Sequence, residues 1–361
     1  MMRAYPCVEA NLAHILDNIN RAADLCHSRG ITMAAVAKCV CADETILRVL
    51  DGSRCDWIAD SRLKNLAAMQ VKKPRFLIRI AQPWETAEVA ACAEISLQSE
   101  VSVIRKLGQE TLAQGRRHKV ILSCDMGDLR EGCFFEDTAD IYAAAEEILR
   151  QPALEFYGIA MNLGDFGGVL PSPENMSGLA QIAQDLRERY SIALPVVSGG
   201  STLMIHDLLA DTVHPAINNL RIGELWLAGN DPGRGVPVEG YHRDCFTLHA
   251  QLVEVKRKPS KPIGNIGGDA FGHVVEHPDE GPMLRGILAV GKQDVDPEFM
   301  FPSDPRIRIL GASSDHTVVD LTKAPEYRVG DTLAFHLGYG AILRAYTGGY
   351  TAKEYTESHA I

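Results

Sequence analysis

A (β/α)8 TIM barrel followed by a C-terminal β domain is the architecture that fits this chain, which places it in the α/β class. Eight short apolar runs alternate with helix-patterned segments over roughly 220 residues, about the length of one closed barrel. Near Asn230 the texture changes to a Gly/Pro-rich turn region, DPGRGVPVEG, and beyond it strand patterns follow one another with no long helix between them. The expected boundaries are 1–235 for the barrel and 236–361 for the β domain.

The first helix is expected from about Ala10 to Gly30, because Leu12, Ile15, Leu16, Ile19, Ala23 and Cys26 recur at helical spacing and Gly30 is a natural stop. The eight buried runs are ITMAAVAK, DWIAD, PRFLIRI, EISLQS, KVILSCD, FYGIAMNLG, LPVVSGG and NNLRIGE. Helical segments such as DETILRVL, SRLKNLAAM and DIYAAAEEILR separate them, and this alternation demands a parallel sheet covered by helices. The later segments FTLHAQLVEVKR, MLRGILAVGK, RIRILGA, HTVVDL and DTLAFHLGYGAIL alternate and are rich in β-branched residues, as half-buried strands are.

Composition narrows the class of function. At 361 residues, 46% apolar and 23% charged, the chain is of ordinary globular type, which excludes a disordered or collagen-like protein. Its 36 basic residues against 47 acidic ones give a formal charge of −11, which argues against a nucleic-acid or membrane-surface binder. The opening MMRAYPCVEANL lacks the basic-then-apolar layout of a signal peptide, and no apolar run reaches the roughly 18 residues of a membrane span, so a cytoplasmic protein is expected. Nine cysteines are an odd count, none in C-x-x-C spacing, with Cys39 and Cys41 too close to pair with each other; free thiols in a reducing compartment are expected, and no metal site.

Lys38 follows the apolar run Met33–Ala37 and ends a buried strand at the barrel end where such folds carry their chemistry. Apolar walls lower an ammonium pKa and free an amine able to form an imine; the plainer reading is a lysine reaching out of the mouth or paired with a carboxylate. After the seventh strand, Gly199-Gly200-Ser201-Thr202 forms a turn into a helix, where backbone N–H groups and a hydroxyl make an anion cradle. The eighth strand ends as Arg221-Ile222-Gly223-Glu224, a second turn at the same end.

Lys38, Ser201 and Arg-x-Gly after strands one, seven and eight, followed by a β domain, resemble the alanine racemase family of pyridoxal-phosphate enzymes, and the likeness covers nearly the whole chain. VEANLAHILDNI looks like that family's opening strand and helix, AVAKCVCAD like its cofactor-lysine segment, and ILSCDMGDLREG like its Asp-x-Gly-x-x-Arg stretch, with Asp125 and Arg130. DAFG at 269–272, GKQDVD at 291–296 and GASSDH at 311–316 resemble the ornithine racemase branch.

The resemblance implies that Lys38 holds pyridoxal 5′-phosphate as an imine and serves as one of two catalytic bases. Asn162 stands where the family usually has a histidine against the cofactor ring. Ser201, Gly223, Glu224 through its backbone, and Tyr339 match phosphate-binding positions, and Arg221 matches the arginine facing the pyridine nitrogen. Arg130 and Ser314 fall where the family orients the substrate carboxylate. The family's second base is a tyrosine from a partner subunit's β domain, but GNIGGDAFGHVV contains none; His273 takes that place in an ungapped match, with Asp269 and Cys41 as alternatives.

A basic substrate such as ornithine or lysine needs a carboxylate for its distal ammonium, and Asp165, Glu131 and Asp315 are candidates, each also readable as a solvated loop acid. The expected activity is two-base racemisation of a basic amino acid in a homodimer with shared sites. Competing readings are an alanine or broad-specificity racemase, a non-catalytic cofactor-handling protein, and a metal-assisted β-hydroxy amino acid aldolase drawing on His273, His277 and Asp279.

Overall fold

The computed structural model describes residues 4–268, 271–272 and 278–357. The chain divides into two compact units, one of residues 16–241 and one that joins residues 1–15 to 242–361.

The 16–241 unit contains the parallel strands β2 (Thr32–Val36), β3 (Trp57–Asp60), β4 (Arg75–Leu77), β5 (Ile95–Gln98) and β6 (His118–Asp125). A two-residue strand β7 (Cys133–Phe134) follows, then β8 (Leu154–Met161), β9 (Val196–Ser198) and β10 (Asn219–Ile222). Their order, β5-β4-β3-β2-β10-β9-β8-β6 with β5 pairing back to β6, closes an eight-stranded parallel barrel, and β7 pairs alongside β6. The eight runs legible in the sequence are these eight strands.

Between them lie α2 (Glu44–Gly52), α3 (Leu63–Ala68), α4 (Thr86–Cys92), α5 (Val101–Ala113), α6 (Thr138–Arg150), α7 (Pro173–Tyr190), α8 (Ile205–Ala210) and α9 (Glu224–Ala228). Local chemistry sets their starts: the Asp43 carboxylate accepts from Ile46 N at the head of α2, and Ser172 with Asn175 forms a capping box with Pro173 at the first position of α7. The helix face Ile46, Leu47 and Leu50 is buried, each side chain contributing about 1.5–3 kcal/mol of transfer free energy.

Ala34, Val36, Trp57, Ala59, Phe76, Leu97, Ile121 and Val196 pack as one cluster inside the barrel. Trp57 meets Phe76 edge to face at 5.8 Å and Tyr157 at 6.2 Å, three aromatics drawn from β3, β4 and β8. They fill the barrel beneath the strand ends, so the space for chemistry lies above them.

The other unit begins with β1 (Cys7–Asn11), which runs straight into α1 (Leu12–His27). The helix therefore starts later than its periodicity suggests, because Ala10 is held in a ladder with the 14-residue strand β13 (Phe246–Pro259) and Asn11 pairs with Thr356 near the end of the chain. A hairpin pair β11 (Asn230–Asp231) and β12 (Val236–Pro237) precedes β13 in the chain, and β14 (Pro282–Leu288), β15 (Met300–Pro302), β16 (Arg308–Ala312), β17 (Thr317–Asp320), β18 (Thr332–Leu337), α10 (Tyr339–Thr347) and β19 (Ala352–Thr356) follow.

The sheet order is β15-β18-β13-β14-β17-β16, antiparallel throughout, with β1 pairing antiparallel to β13 and parallel to β19. GYGAIL departs from the strand pattern expected of it: Ala341, Ile342, Ala345 and Tyr346 recur at helical spacing and bury one face of α10. All nine cysteines are free thiols. Among the described residues no helix is long and apolar enough to cross a membrane.

Candidate active site

The carboxyl ends of the barrel strands collect charged side chains, which are costly to bury unless each is paired and hydrogen-bonded. Ala34 and Val36 belong to the inner core, and Lys38 lies two residues past the end of β2, half-buried at the start of a single turn of 3-10 helix. Cys41 and Ala42 follow with φ of 48° and 57°, two consecutive non-glycine residues in left-handed backbone. Strain of that kind persists only where the surroundings impose it.

On the neighbouring strand β10, Arg221 stands in register with Ala34, so its side chain enters the same interior. The guanidinium is buried and donates to Ser198 Oγ at 2.5 Å, Met161 O at 2.7 Å and Asn162 Oδ1 at 3.3 Å. Burial pulls its pKa down to about 10, which leaves it charged at neutral pH.

A chain of polar contacts leads outward from this arginine. Asn162, just past β8, uses its Oδ1 for Arg221 and donates through Nδ2 to Asp165 Oδ2 at 2.7 Å. Arg130 Nη1 donates to that same oxygen at 2.8 Å, and its other nitrogens grip Glu131, with Nη2 to Oε1 at 2.7 Å. Asn162, Arg130, Asp165 and Glu131 are thus brought together with Arg221 in one connected set. Two cations face two anions there, so the set is balanced before any ligand arrives.

The loop holding Asn162 and Asp165 is fixed by Asp128, which the sequence reading passed over between Asp125 and Arg130. Its buried carboxylate accepts from the amides of Gly164 at 2.9 Å, Phe166 at 3.0 Å and Val169 at 3.1 Å. Burial alone would raise its pKa, but the amides of Val169, Gly164, Phe166 and Gly167 outweigh that and hold it below the ordinary value. Gly164 sits at φ +80°, where any L side chain is strained, and an added Cβ would also press on the end of the Leu203 side chain.

Asp60, at the end of β3, is a second carboxylate not singled out from sequence. It accepts from Arg62 N at 2.8 Å and Asn65 Nδ2 at 3.2 Å. Burial pushes its pKa up to about 6, while those donors and the charge of Lys38 pull the other way.

After β9 the chain turns through Gly200 at φ +120°, and Ser201 caps the short helix that follows, its hydroxyl accepting from Leu203 N. Thr202 Oγ1 accepts from Gly223 N at 3.1 Å, which ties this turn to the one after β10. Glu224 opens α9; burial pushes its carboxyl up to about 7, with Asn230 lowering and Asp231 raising it. Ser201, Gly223 and Glu224 are therefore adjacent at one corner of the barrel mouth, as expected of anion-binding turns.

The remaining expected residues sit in the other unit or beyond description. Tyr339 begins α10. The Ser314 hydroxyl donates to Asp315 Oδ2 at 2.9 Å, and Gln293 Nε2 donates to Asp315 Oδ1 at 2.7 Å. The stretches GKQDVD and GASSDH are thus in contact, with Lys292 N bound to Ser313 O at 2.8 Å and Gln293 N to Ser314 O at 3.1 Å. Asp269 and His273, with His277, lie outside the described residues.

The model of the alanine racemase N-terminal domain matches residues 10–230. An ornithine racemase from Acetoanaerobium sticklandii is 38% identical over 352 residues, covering 97% of this chain and 99% of that protein. A lysine racemase from Thermotoga maritima is 32% identical over 357 residues, covering 98% of this chain and 99% of the relative. Among solved structures, the alanine racemase of Bartonella henselae with covalently bound pyridoxal phosphate shares the fold at a TM-score of 0.71 and 16% identity, over 98% of this chain and 100% of that one. On the family match and the near full-length relatives, the chain belongs to the alanine racemase family and is an amino-acid racemase.

Proposed function

We propose that the protein interconverts the L and D forms of a basic amino acid, ornithine or lysine, using pyridoxal 5′-phosphate held at Lys38. The observation that carries this reading is the connected set Arg221, Asn162, Asp165, Arg130 and Glu131 at the same barrel end as Lys38. The two full-length relatives, named ornithine and lysine racemase, support the substrate class.

The residues present fit the cofactor. A primary amine, a buried guanidinium and a corner of hydroxyl and amide groups match an aldehyde, a ring nitrogen and a phosphate, and Gly200 leaves its cradle open, since an added Cβ would find no atom nearer than 3.9 Å. Ser201, Gly223 and the Glu224 backbone would hold the phosphate, with Tyr339 as the expected fourth contact. When bound, pyridoxal phosphate would supply an electron sink that acidifies the substrate's Cα–H.

Lys38 Nζ carries the proton on one face of the substrate. The group on the other face is assigned to His273 or Asp269. Arg130 would orient the α-carboxylate by giving up part of its hold on Glu131 and Asp165, and the acid so released would take the distal ammonium, so that no charge enters the mouth unpaired. Arg221, charged and buried, disfavours a proton on the ring nitrogen and so restrains side reactions. Free thiols throughout are consistent with a cytoplasmic enzyme, and the family resemblance supports a homodimer.

The test is chiral chromatography of the cofactor-saturated protein incubated separately with L-ornithine, L-lysine and L-alanine. Conversion of the two basic substrates well ahead of alanine is expected. Turnover of alanine alone would reject the substrate class, and inversion of none would reject the reading.

A further inference from the structure

The unit that joins residues 1–15 to 242–361 holds a cluster that the racemase reading does not use: His14, His242 and Asp244. The β1–β13 ladder builds it. Ala10 pairs with Phe246 and Asn11 N donates to Cys245 O at 2.9 Å, which sets the first turn of α1 over residues 242–244. Asn11 then fixes that turn, its side-chain oxygen accepting from His14 N at 3.2 Å. His242 and Asp244 are two apart in a stretch without regular secondary structure just before β13, so both reach the same side when it is extended.

The outcome is specific. The two imidazoles stack at 3.9 Å with planes 6° apart, and His14 Nδ1 lies 2.8 Å from Asp244 Oδ1. One ligand atom from each of the three lies within 4.8 Å of the others, and all three residues are half-buried. Donors on one tetrahedral zinc sit roughly 3.4 Å apart, given Zn–N distances near 2.1 Å. Ligation requires the His242 ring to turn out of the stack so that its nitrogen converges with the ligand atoms of His14 and Asp244.

We propose that His14, His242 and Asp244 bind a divalent cation of intermediate softness, zinc or a similar ion, remote in sequence from every catalytic position assigned above. Two imidazoles and one carboxylate favour such an ion over magnesium or calcium, which prefer oxygen donors. The ion clips residue 14 to residues 242–244 across a chain separation of 230 residues, a closure that favours the folded state. No short spacing motif announces such a site, because its donors come from opposite ends of the barrel sequence.

The test is titration of the chelator-treated holoenzyme with Co2+ and, separately, Zn2+. One equivalent of Co2+ should give weak visible bands of nitrogen and oxygen ligation without a thiolate charge-transfer band, Zn2+ should displace it, and the melting temperature should rise with the metal. His242→Gln and Asp244→Asn, each checked for wild-type circular dichroism, should weaken Zn2+ binding about tenfold or more. Wild-type protein that takes up no stoichiometric metal overturns the proposal even if a variant fails to fold. Thiolate bands, or equal binding by folded variants, overturn it as well.

Discussion

Asp165 accepts from Arg130 Nη1 at 2.8 Å on the same oxygen that accepts from Asn162 Nδ2 at 2.7 Å. One carboxylate oxygen therefore sets both the proposed substrate arginine and the residue that contacts the buried Arg221. Arg130 and Asp165 are 37% and 43% exposed, so their ion pair contributes little to stability; what it fixes is direction.

Asp165→Asn keeps the shape and loses the charge. The catalytic efficiency with ornithine or lysine should fall about tenfold, equivalent to about 1.4 kcal/mol, with alanine less affected and the melting temperature unchanged. Steady-state kinetics and a thermal melt check this; an unaltered rate with a lowered melting temperature would make Asp165 a structural residue only.

Asp128→Ala should behave in the opposite way. The amides of Gly164, Phe166 and Val169 lose their shared acceptor, and stability should fall by about 1–3 kcal/mol. Because the folded-state pKa of Asp128 lies below its ordinary 3.8, its contribution is present above that pH and lost as pH falls through the lower folded value. Urea unfolding should therefore show a gap between wild type and variant that is full at neutral pH and closes only in strong acid.

His118 and Asp60 oppose one another in mild acid. His118, buried with Nε2 against Ser96 Oγ at 2.8 Å, has its pKa lowered by burial from 6.5 to about 4, so its contribution is complete above about 6.5 and is lost as pH falls towards 4. Asp60 is raised from 3.8 to about 6, so the folded state gains relative stability as pH falls from 6 towards 3.8. Each amounts to about 3 kcal/mol at most. Relative to wild type, His118→Gln should retain more stability on going from about pH 7 to 5, and Asp60→Asn less. Denaturation curves at the two pH values check both signs.

Arg221→Lys replaces a fork by a point charge. Lysine cannot serve Ser198 Oγ, Met161 O and Asn162 Oδ1 together, so the turnover number should drop about 100-fold with the charge retained. Retention of wild-type turnover would show that charge alone suffices at this position.

Sequence and structure agree where the signal is local. The eight barrel strands are short apolar runs bounded by turns, and the Gly199–Thr202 and Arg221–Glu224 turns can be read residue by residue. Contacts that depend on the fold were not legible: Arg130 and Asp165 are 35 residues apart, and nothing local joins them. Asp128 looks like any loop acid until its three amide partners are seen. The helix α10 was obscured because the strand rhythm of DTLAFHL runs into GYGAIL, whose burial at 341, 342, 345 and 346 emerges only from packing. Asn11 is apportioned to a strand by its pairing with Thr356 in β19, far along the chain.

The central claim is that the Lys38 amine holds the cofactor, and reductive trapping tests it most directly. Borohydride treatment of the pyridoxal-phosphate-saturated protein, followed by proteolysis and mass spectrometry, should place the label on the peptide containing Lys38, and Lys38→Ala should show neither label nor cofactor absorbance. A label fixed on another lysine, or visible absorbance that survives in Lys38→Ala, would contradict the account.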